Sequence, residues 1–168
     1  RLLHRRDPPA QRLPGNPFQV EVAVAYGGDI KEDGRIRLLR YANRVPLLYQ
    51  QSACATTHAA INTSWRPYGL SQSGGALPVG PAIVVVHMAS VWVPFTSESK
   101  EAIAHYPEII KEVKLALQQA GRRLSIHVSR RKKEAEAARK RSYIEKYIPH
   151  IGIGLRELLG FGDKDEDF

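Results

Sequence analysis

Apolar and polar residues alternate in two early stretches of the chain. Along residues 18–26, phenylalanine and three valines occupy every second position, with glutamine, glutamate and alanine between them. This alternation predicts a half-buried strand. Residues 35–45 carry spaced apolar positions and predict another strand, and the glycines and aspartates of residues 27–34 mark turns between the two. We therefore expect an antiparallel hairpin with a long loop.

The next two segments predict a helix and a central strand. Residues 50–64 are rich in alanine and predict a helix whose small-residue face packs closely on a sheet. Residues 77–93 are apolar almost throughout, which predicts a strand buried on both faces. Within these segments Cys54 is expected to be a packed core thiol, and His58 and His87 to be structural histidines.

A helical period covers residues 107–148, beginning at Pro107. The apolar positions recur at intervals of three and four: Tyr106, Ile109, Val113, Leu117, Ala120, Leu124 and Val128. Gly121 interrupts this run and predicts a bend or a close contact. The stripe fades after Val128, and Pro149 with two later glycines is expected to stop the helix. A helix of this length measures about 60 Å, so we expect its second part to leave the domain as a stalk.

These patterns give a domain plan. Residues 1–16, with arginines and prolines, are expected to be a linker from an upstream region without a regular element. Residues 17–128 are expected to form the core, 129–148 a stalk extension and 149–168 a tail with a frayed acidic end. Because the chain begins with Arg rather than Met, we expect a fragment of a larger polypeptide.

Charge narrows the class of partner. The formal net charge is +8 and the isoelectric point about 9.8, which favours nucleic acid, a nucleotide or an acidic protein surface. One cysteine excludes a disulfide within the chain, and no apolar run is long enough to cross a bilayer. A basic tract on the helix could hold a DNA backbone or be a solvated face, and lacks interleaved aromatic residues for base stacking. Its candidate DNA-binding residues are Arg122, Arg123, Arg130, Arg131, Lys132 and Lys133.

No complete active site is visible in the sequence. There is no glycine-rich phosphate loop with its lysine, no HExxH and no paired-cysteine metal site, so no metal-binding residue is predicted. The sharpest candidate is Lys100, delivered by a polar loop just ahead of the long helix. An ammonium there can pair with a terminal phosphate, although residue type alone favours an ordinary surface lysine. Ser97 or Ser99 is expected to cap a short helical turn near Glu101.

Five stretches resemble the transducer domain of the B subunit of DNA topoisomerase VI, and of the archaeal members above all. They are GNPF from Gly15, NRVPLLYQQSACATTHAAINTSW from Asn43, YGLSQ from Tyr68, LPVGP from Leu77 and VWVPFTSESKEAIA from Val91. The resemblance covers roughly residues 16–148, and its motifs are long and unusual.

The resemblance implies an α+β fold in two layers. A sheet would be covered on one face by helices, with a left-handed β-α-β crossover that departs from the usual rule, as in the second domain of the gyrase and MutL ATPase regions. A long stalk helix would follow and reach the A subunit.

The resemblance also implies a function. The family's enzyme is a type IIB topoisomerase of two A and two B subunits, which uses ATP and Mg²⁺ to pass one DNA duplex through a break in another. Lys100 matches the loop lysine that contacts the γ-phosphate of ATP held by the neighbouring ATPase domain. The chain lacks the ATPase motifs and the cleavage tyrosine, so alone it is expected to be inactive. The expected location is the archaeal cytoplasm, or the nucleus in a eukaryote, with no membrane partner.

Two other functions compete with this one. A nucleic-acid-binding module would use the basic helix alone and bind duplex DNA or RNA with a steep salt dependence. A coiled-coil interaction protein would need apolar heptads, which residues 129–142 lack.

Overall fold

The structure is a computed structural model that describes residues 2–5, 11–13, 16–30 and 33–159 of the 168-residue chain. Its strands are β1 Leu2–Arg5, β2 Gln11–Leu13, β3 Asn16–Tyr26, β4 Arg37–Ala42, β5 Val45–Pro46 and β6 Ala82–Ser90. Its α-helices are α1 Ala55–Ile61 and α2 Pro107–Leu159, and short 3₁₀ turns lie at Gln51–Ala53 and Arg66–Tyr68. The chain combines one mixed sheet with α-helices, so the predicted α+β class is confirmed.

The sheet has the strand order β1-β3-β6-β4-β5, and β2 also pairs with β3. The predicted hairpin between β3 and β4 is wrong, because β6 lies between them. β6 runs antiparallel to β3 over nine residue pairs and parallel to β4 over six. The most apolar strand thus takes the centre of the sheet, and the parallel β4–β6 pair needs a crossover connection, which contains α1. The left-handed sense of that crossover connection stays a prediction.

The structure differs from the predictions in residues 1–16 and at the end of the predicted strand 35–45. The sequence predicts no regular element in residues 1–16, but β1 and β2 both pair antiparallel with β3. Short strands at a sheet edge tolerate the surrounding prolines, because an edge needs hydrogen bonds on one side only. The predicted strand 35–45 ends at Ala42, where Asn43 and Arg44 both take a left-handed backbone, with φ of 46° and 70°. That two-residue turn folds β5 back onto β4.

One face of the sheet packs into the core. On β3 the residues Phe18, Val20, Val22 and Val24 are buried while the residues between them are half-buried, so the predicted alternation is confirmed. β6 shows the same alternation, and the prediction that both of its faces are buried is wrong. The buried sheet residues share one cluster with α1 and the first part of α2, and helix packing on a single face leaves the other face half-exposed.

The helix predicted over residues 50–64 is shorter, and its small face is confirmed. The left-handed backbone of Gln50 and a 3₁₀ turn precede α1, which spans Ala55–Ile61. Ala55, Ala59 and Ala60 are fully buried. Since alanine has no side chain beyond Cβ, α1 can lie close to the sheet.

By its contacts the chain divides into two compact units, Arg1–Val128 and Ser129–Phe168. In the first unit, α2 buries Ile109, Val113, Leu117 and other members of the predicted apolar stripe. Gly121 is buried there, and a Cβ on it would overlap the ring of Tyr68. The predicted close contact at Gly121 is therefore confirmed. The division of the chain into functional domains stays a prediction.

In the second unit, almost every described side chain is exposed. The predicted stop at Pro149 is wrong, because the helix continues through that proline and both following glycines to Leu159. A proline in a helix removes one hydrogen bond and crowds the preceding turn, and here the turns on both sides carry the helix across it. The acidic segment 163–167 lies outside the described residues. Within the described residues, no helix is long and apolar enough to span a bilayer.

Candidate functional site

Lys100 is presented by a hairpin-like loop, here named the Lys100 loop and comprising residues 94–104. Its two limbs pair through a bridge between Phe95 and Ile103. The Thr96 N–H donates to the Ala102 carbonyl at 2.9 Å, and the Ala104 N–H donates to the Pro94 carbonyl at 2.8 Å. The loop is therefore an ordered projection with an outgoing and a return limb.

The tip of the loop is a β-turn over residues 97–100. The Lys100 N–H donates to the Ser97 carbonyl at 3.1 Å, and the Ser97 and Ser99 hydroxyls lie 2.7 Å apart. The helical turn predicted near Glu101 is wrong, because the serine hydroxyls bond to each other and the residues up to Pro107 are non-helical. The long helix does begin at Pro107, as predicted.

Lys100 itself has a left-handed backbone, with φ of 55°. This conformation is uncommon for a residue with a Cβ, and such strain concentrates at functional sites. The side chain is exposed, and among the described residues no carboxylate forms an ion pair with it. Its ammonium is thus available to an anion from outside the chain.

The return limb of the loop is fixed in the core. Ala102 and Ile103 are fully buried. The Ile103 carbonyl accepts the Ala55 N–H at 2.9 Å, and the Ile103 N–H points to the Cys54 sulfur at 3.5 Å. The exposed lysine is therefore only three residues from Ile103, which is buried and bonded to the start of α1.

Cys54 is a fully buried thiol, as predicted. Burial raises its pKa, but hydrogen bonds from the Thr56 hydroxyl, from the Ile103 and Thr56 backbone and from the Arg40 side chain outweigh burial and place the pKa below its ordinary value. The sulfur is thus a hydrogen-bond acceptor in an electropositive setting.

The candidate DNA-binding residues lie further along α2. Arg122 and Arg123 are exposed in the first unit, about 22 Å along the helix from Pro107. Arg130, Arg131, Lys132 and Lys133 are exposed in the second unit, and the Arg130 Nε donates to Glu134 Oε1 at 2.9 Å. These residues form a run of cations on the helix surface, separate in sequence from the Lys100 loop.

The histidines have partners that the sequence did not reveal. His58 is exposed and contacts the ring of His105, with ring centroids 4.4 Å apart and an angle of 50° between the ring planes. His87 is half-buried; its Nδ1 lies 2.8 Å from Glu21 Oε2, and its Nε2 accepts the Arg44 N–H at 3.0 Å. Because Nε2 accepts a hydrogen bond, the proton of the neutral ring sits on Nδ1. In the part of the chain that the structure describes, no three metal-ligating side chains come together.

Sequence reasoning missed Arg40 altogether. Its side chain is 4% exposed and lies on the core face of β4, where Nη2 donates to the Leu47 carbonyl at 2.8 Å and the Tyr49 carbonyl at 3.0 Å. A signal was present, since the alternation that buries Leu38 and Ala42 places Arg40 on the same face.

Together these features define a class of protein: an α+β module in which an ordered loop carries one exposed lysine and leads directly into a long helix. The chain belongs to the topoisomerase VI B subunit transducer family, whose model matches residues 2–140.

Curated relatives agree with this family. The chain is 50% identical over 145 residues to the B subunit of a type 2 DNA topoisomerase 6 from Methanococcoides burtonii, covering 86% of this chain and 23% of that protein. It is also 50% identical to the protein of the same name from Natronomonas pharaonis, covering 86% and 18%, and 48% identical to that of Archaeoglobus fulgidus, covering 86% and 24%. The chain thus spans about a quarter or less of the length of these relatives.

Solved structures resemble the chain more distantly. The B subunit of DNA gyrase from Myxococcus xanthus gives a TM-score of 0.42 at 18% identity, covering 70% of this chain and 38% of that one. The 43K ATPase domain of Thermus thermophilus gyrase B, in complex with an aminocoumarin, gives a TM-score of 0.42 at 18% identity, covering 84% and 38%. Likeness at this level carries no argument about the site.

Proposed function

We propose that this chain is the transducer of a type IIB topoisomerase, which couples ATP binding and hydrolysis to the passage of one DNA duplex through another. The observation that carries the proposal is Lys100, an exposed cation at the strained tip of an ordered loop. Family membership supports the same role.

Charge explains how such a lysine could act. An ammonium is a compact point charge that pairs well with a terminal phosphate, and a preorganised cation is most effective where water is excluded. ATP would favour the arrangement in which Lys100 reaches the γ-phosphate, and loss of that phosphate would remove the attraction. Lys100 offers donors only, so the ligands for Mg²⁺ and the rest of the nucleotide would come from the ATPase part of the enzyme.

The loop's connections give a route by which the contact could move the rest of the module. The return limb is bonded to the start of α1, and only Glu101 to Tyr106 separate Lys100 from α2. A shift of the tip would therefore act on the core, and the core holds the first part of α2 through its apolar stripe. Well-packed interiors transmit such displacements.

The partners follow from this role. We propose that the enzyme contains a second B subunit together with the A subunits, acts on double-stranded DNA, and works in the cytoplasm of an archaeal cell. The chain alone would neither hydrolyse ATP nor cut DNA.

Replacement of Lys100 tests the proposal. In the complete enzyme, assembled from full-length A and B subunits, Lys100→Ala should slow ATP-driven strand passage by about 100-fold or more while the thermal unfolding midpoint stays unchanged. Lys111→Ala is the matched control, because Lys111 is an exposed lysine near the start of α2. Normal strand passage by Lys100→Ala would refute the assignment.

A second role, direct contact with DNA, is favoured by the exposed cations Arg130, Arg131, Lys132 and Lys133, together with Arg122 and Arg123. Such side chains bind phosphates without reading sequence. The role would be supported by duplex binding that weakens steeply as salt rises, and refuted by the absence of binding at low salt.

A further inference from the structure

The Lys100 loop is held by contacts between its return limb and the start of α1. Both backbone groups of Ile103 are used: the carbonyl accepts from Ala55, and the N–H points to the Cys54 sulfur. Of these two contacts, only the second depends on the identity of a side chain. A substitution at Cys54 can therefore loosen the return limb without removing the backbone bond.

The position of the Cys54 sulfur is itself fixed. It lies 3.1 Å from Thr56 Oγ1, and the side chain is fully buried among α1, the sheet and the loop. Burial raises the pKa of the thiol, but hydrogen bonds to the sulfur, from the Thr56 side chain above all, lower it overall, so the sulfur acts as a hydrogen-bond acceptor.

Arg40, on strand β4, is among the groups that lower the pKa of this thiol. Its Nη2 donates to the Leu47 and Tyr49 carbonyls, and its Nη1 is buried without a hydrogen-bond partner among the described residues. A buried guanidinium needs compensation from its surroundings, and the two carbonyls supply part of it. The contact that bears directly on the loop is therefore the one from the Ile103 N–H to the Cys54 sulfur.

We propose that Cys54 is a positioning residue for Lys100: by holding Ile103, its sulfur sets how far the loop tip stands out toward the terminal phosphate. The inference rests on the proposed function of Lys100 and deepens it. It assigns Cys54 no chemistry of its own. Loosening the return limb would spread Lys100 over several positions and weaken only the contact that a third phosphate makes.

The test compares a triphosphate with a diphosphate. In the full-length B subunit, the affinity for the β,γ-imido analogue of ATP and for ADP is measured by calorimetry. Cys54→Ala should weaken binding of the analogue by about threefold to tenfold, the effect of one hydrogen bond, and leave ADP binding unchanged. Cys54→Ser keeps an acceptor and should restore most of the difference. Cys54→Val, which also lacks an acceptor but fills the space, replaces the alanine variant if that variant does not fold.

A matched control removes a similar bond at the other end of α1. The buried Thr63 hydroxyl donates to the Ala59 carbonyl at 2.8 Å, far along the chain from the loop. Thr63→Val should lower stability without changing the ratio of the two affinities.

The outcomes distinguish failure of the proposed function of Lys100 from failure of the positioning role of Cys54. If Lys100→Ala leaves the ratio unchanged, the proposed function itself fails. If Lys100→Ala abolishes the preference for the triphosphate while the acceptor-free Cys54 variant keeps it, the positioning role is overturned and the function of Lys100 stands. Equal weakening of both nucleotides in the Cys54 variant also overturns the positioning role, because it indicates a general loss of structure.

Discussion

The two compact units of this chain present positive charge in opposite ways. In the first, one lysine stands on a loop whose limbs are paired and whose return limb is buried. In the second, many cations lie on an exposed helix, and Arg130 pairs with Glu134 within that helix. A fixed single charge suits recognition of one phosphate at one place. A run of exposed charges suits a phosphate backbone that can bind in many registers.

The largest expected effect comes from removing the fixed charge. Lys100→Ala should lower the rate of strand passage by about 100-fold or more, the effect of deleting one preorganised electrostatic donor. Lys100→Arg should recover only part of this rate, since the guanidinium is larger and differently shaped. Relaxation of supercoiled DNA, followed on gels, gives the measurement. A rate within twofold of that of the unmodified enzyme would contradict the claim that the first unit acts through one fixed charge.

Removing the distributed charges should give a graded effect. Alanine at Arg130, Arg131, Lys132 and Lys133 together should reduce the slope of log affinity against log salt by about 3 to 4, one for each lost phosphate contact. Fluorescence anisotropy with a labelled duplex at several salt concentrations measures this slope. Single substitutions should each remove a similar share. A slope that stays constant would show that the tract faces solvent or protein rather than DNA.

Two glycines in α2 sharpen the contrast between a packed and an exposed helix. Gly121→Ala should destabilise the protein by about 1–3 kcal/mol, because the added methyl overlaps the Tyr68 ring. Gly152 has open space around it, and Gly152→Ala should instead favour the helix by up to about 1 kcal/mol. Urea unfolding measures the first change and helical circular dichroism the second. Equal effects at the two sites would contradict the packing described for Gly121.

The smallest expected effect is a pH dependence from Cys54. Its folded pKa lies below its ordinary value, so the thiolate is relatively stabilised by folding. The corresponding stability is fully present above the unfolded pKa, about 8.5, and is lost as the pH falls through the folded value. The free energy of unfolding, relative to Cys54→Ser, should therefore rise with pH and level off above about pH 9. A difference that falls with rising pH would contradict the electropositive setting of the sulfur.

Local patterns in the sequence predicted the parts of the fold that depend on the spacing of apolar residues along one strand or helix. The alternation on β3 and the stripe from Ile109 to Leu124 both reappear as buried faces. The insertion of β6 between β3 and β4 could not be predicted in this way, because strand order depends on pairing between distant segments. The helix end predicted from Pro149, Gly152 and Gly154 is wrong for a related reason, because the extent of a helix depends also on the turns on either side of unfavourable residues.

The candidate site was predictable only at its tip. Lys100 could be identified as a candidate from its polar loop and from the family motif, whereas the residues that hold the loop in place could not. Cys54 and Ile103 are 49 residues apart in sequence, and nothing in their local patterns indicates contact. For Arg40 the alternation on β4 does indicate the core face, but no local pattern indicates that its side chain donates to the Leu47 and Tyr49 carbonyls.

The most direct test of the central claim is whether a terminal phosphate shields Lys100. In the complete enzyme, the rate at which an acylating reagent modifies Lys100 can be followed by mass spectrometry with the β,γ-imido analogue of ATP, with ADP and without nucleotide, using Lys111 as the internal reference. We predict that the analogue slows modification of Lys100 by about tenfold, in line with a desolvated charge pair, while ADP leaves it unchanged. Equal modification in all three states would contradict the claim that Lys100 contacts the terminal phosphate.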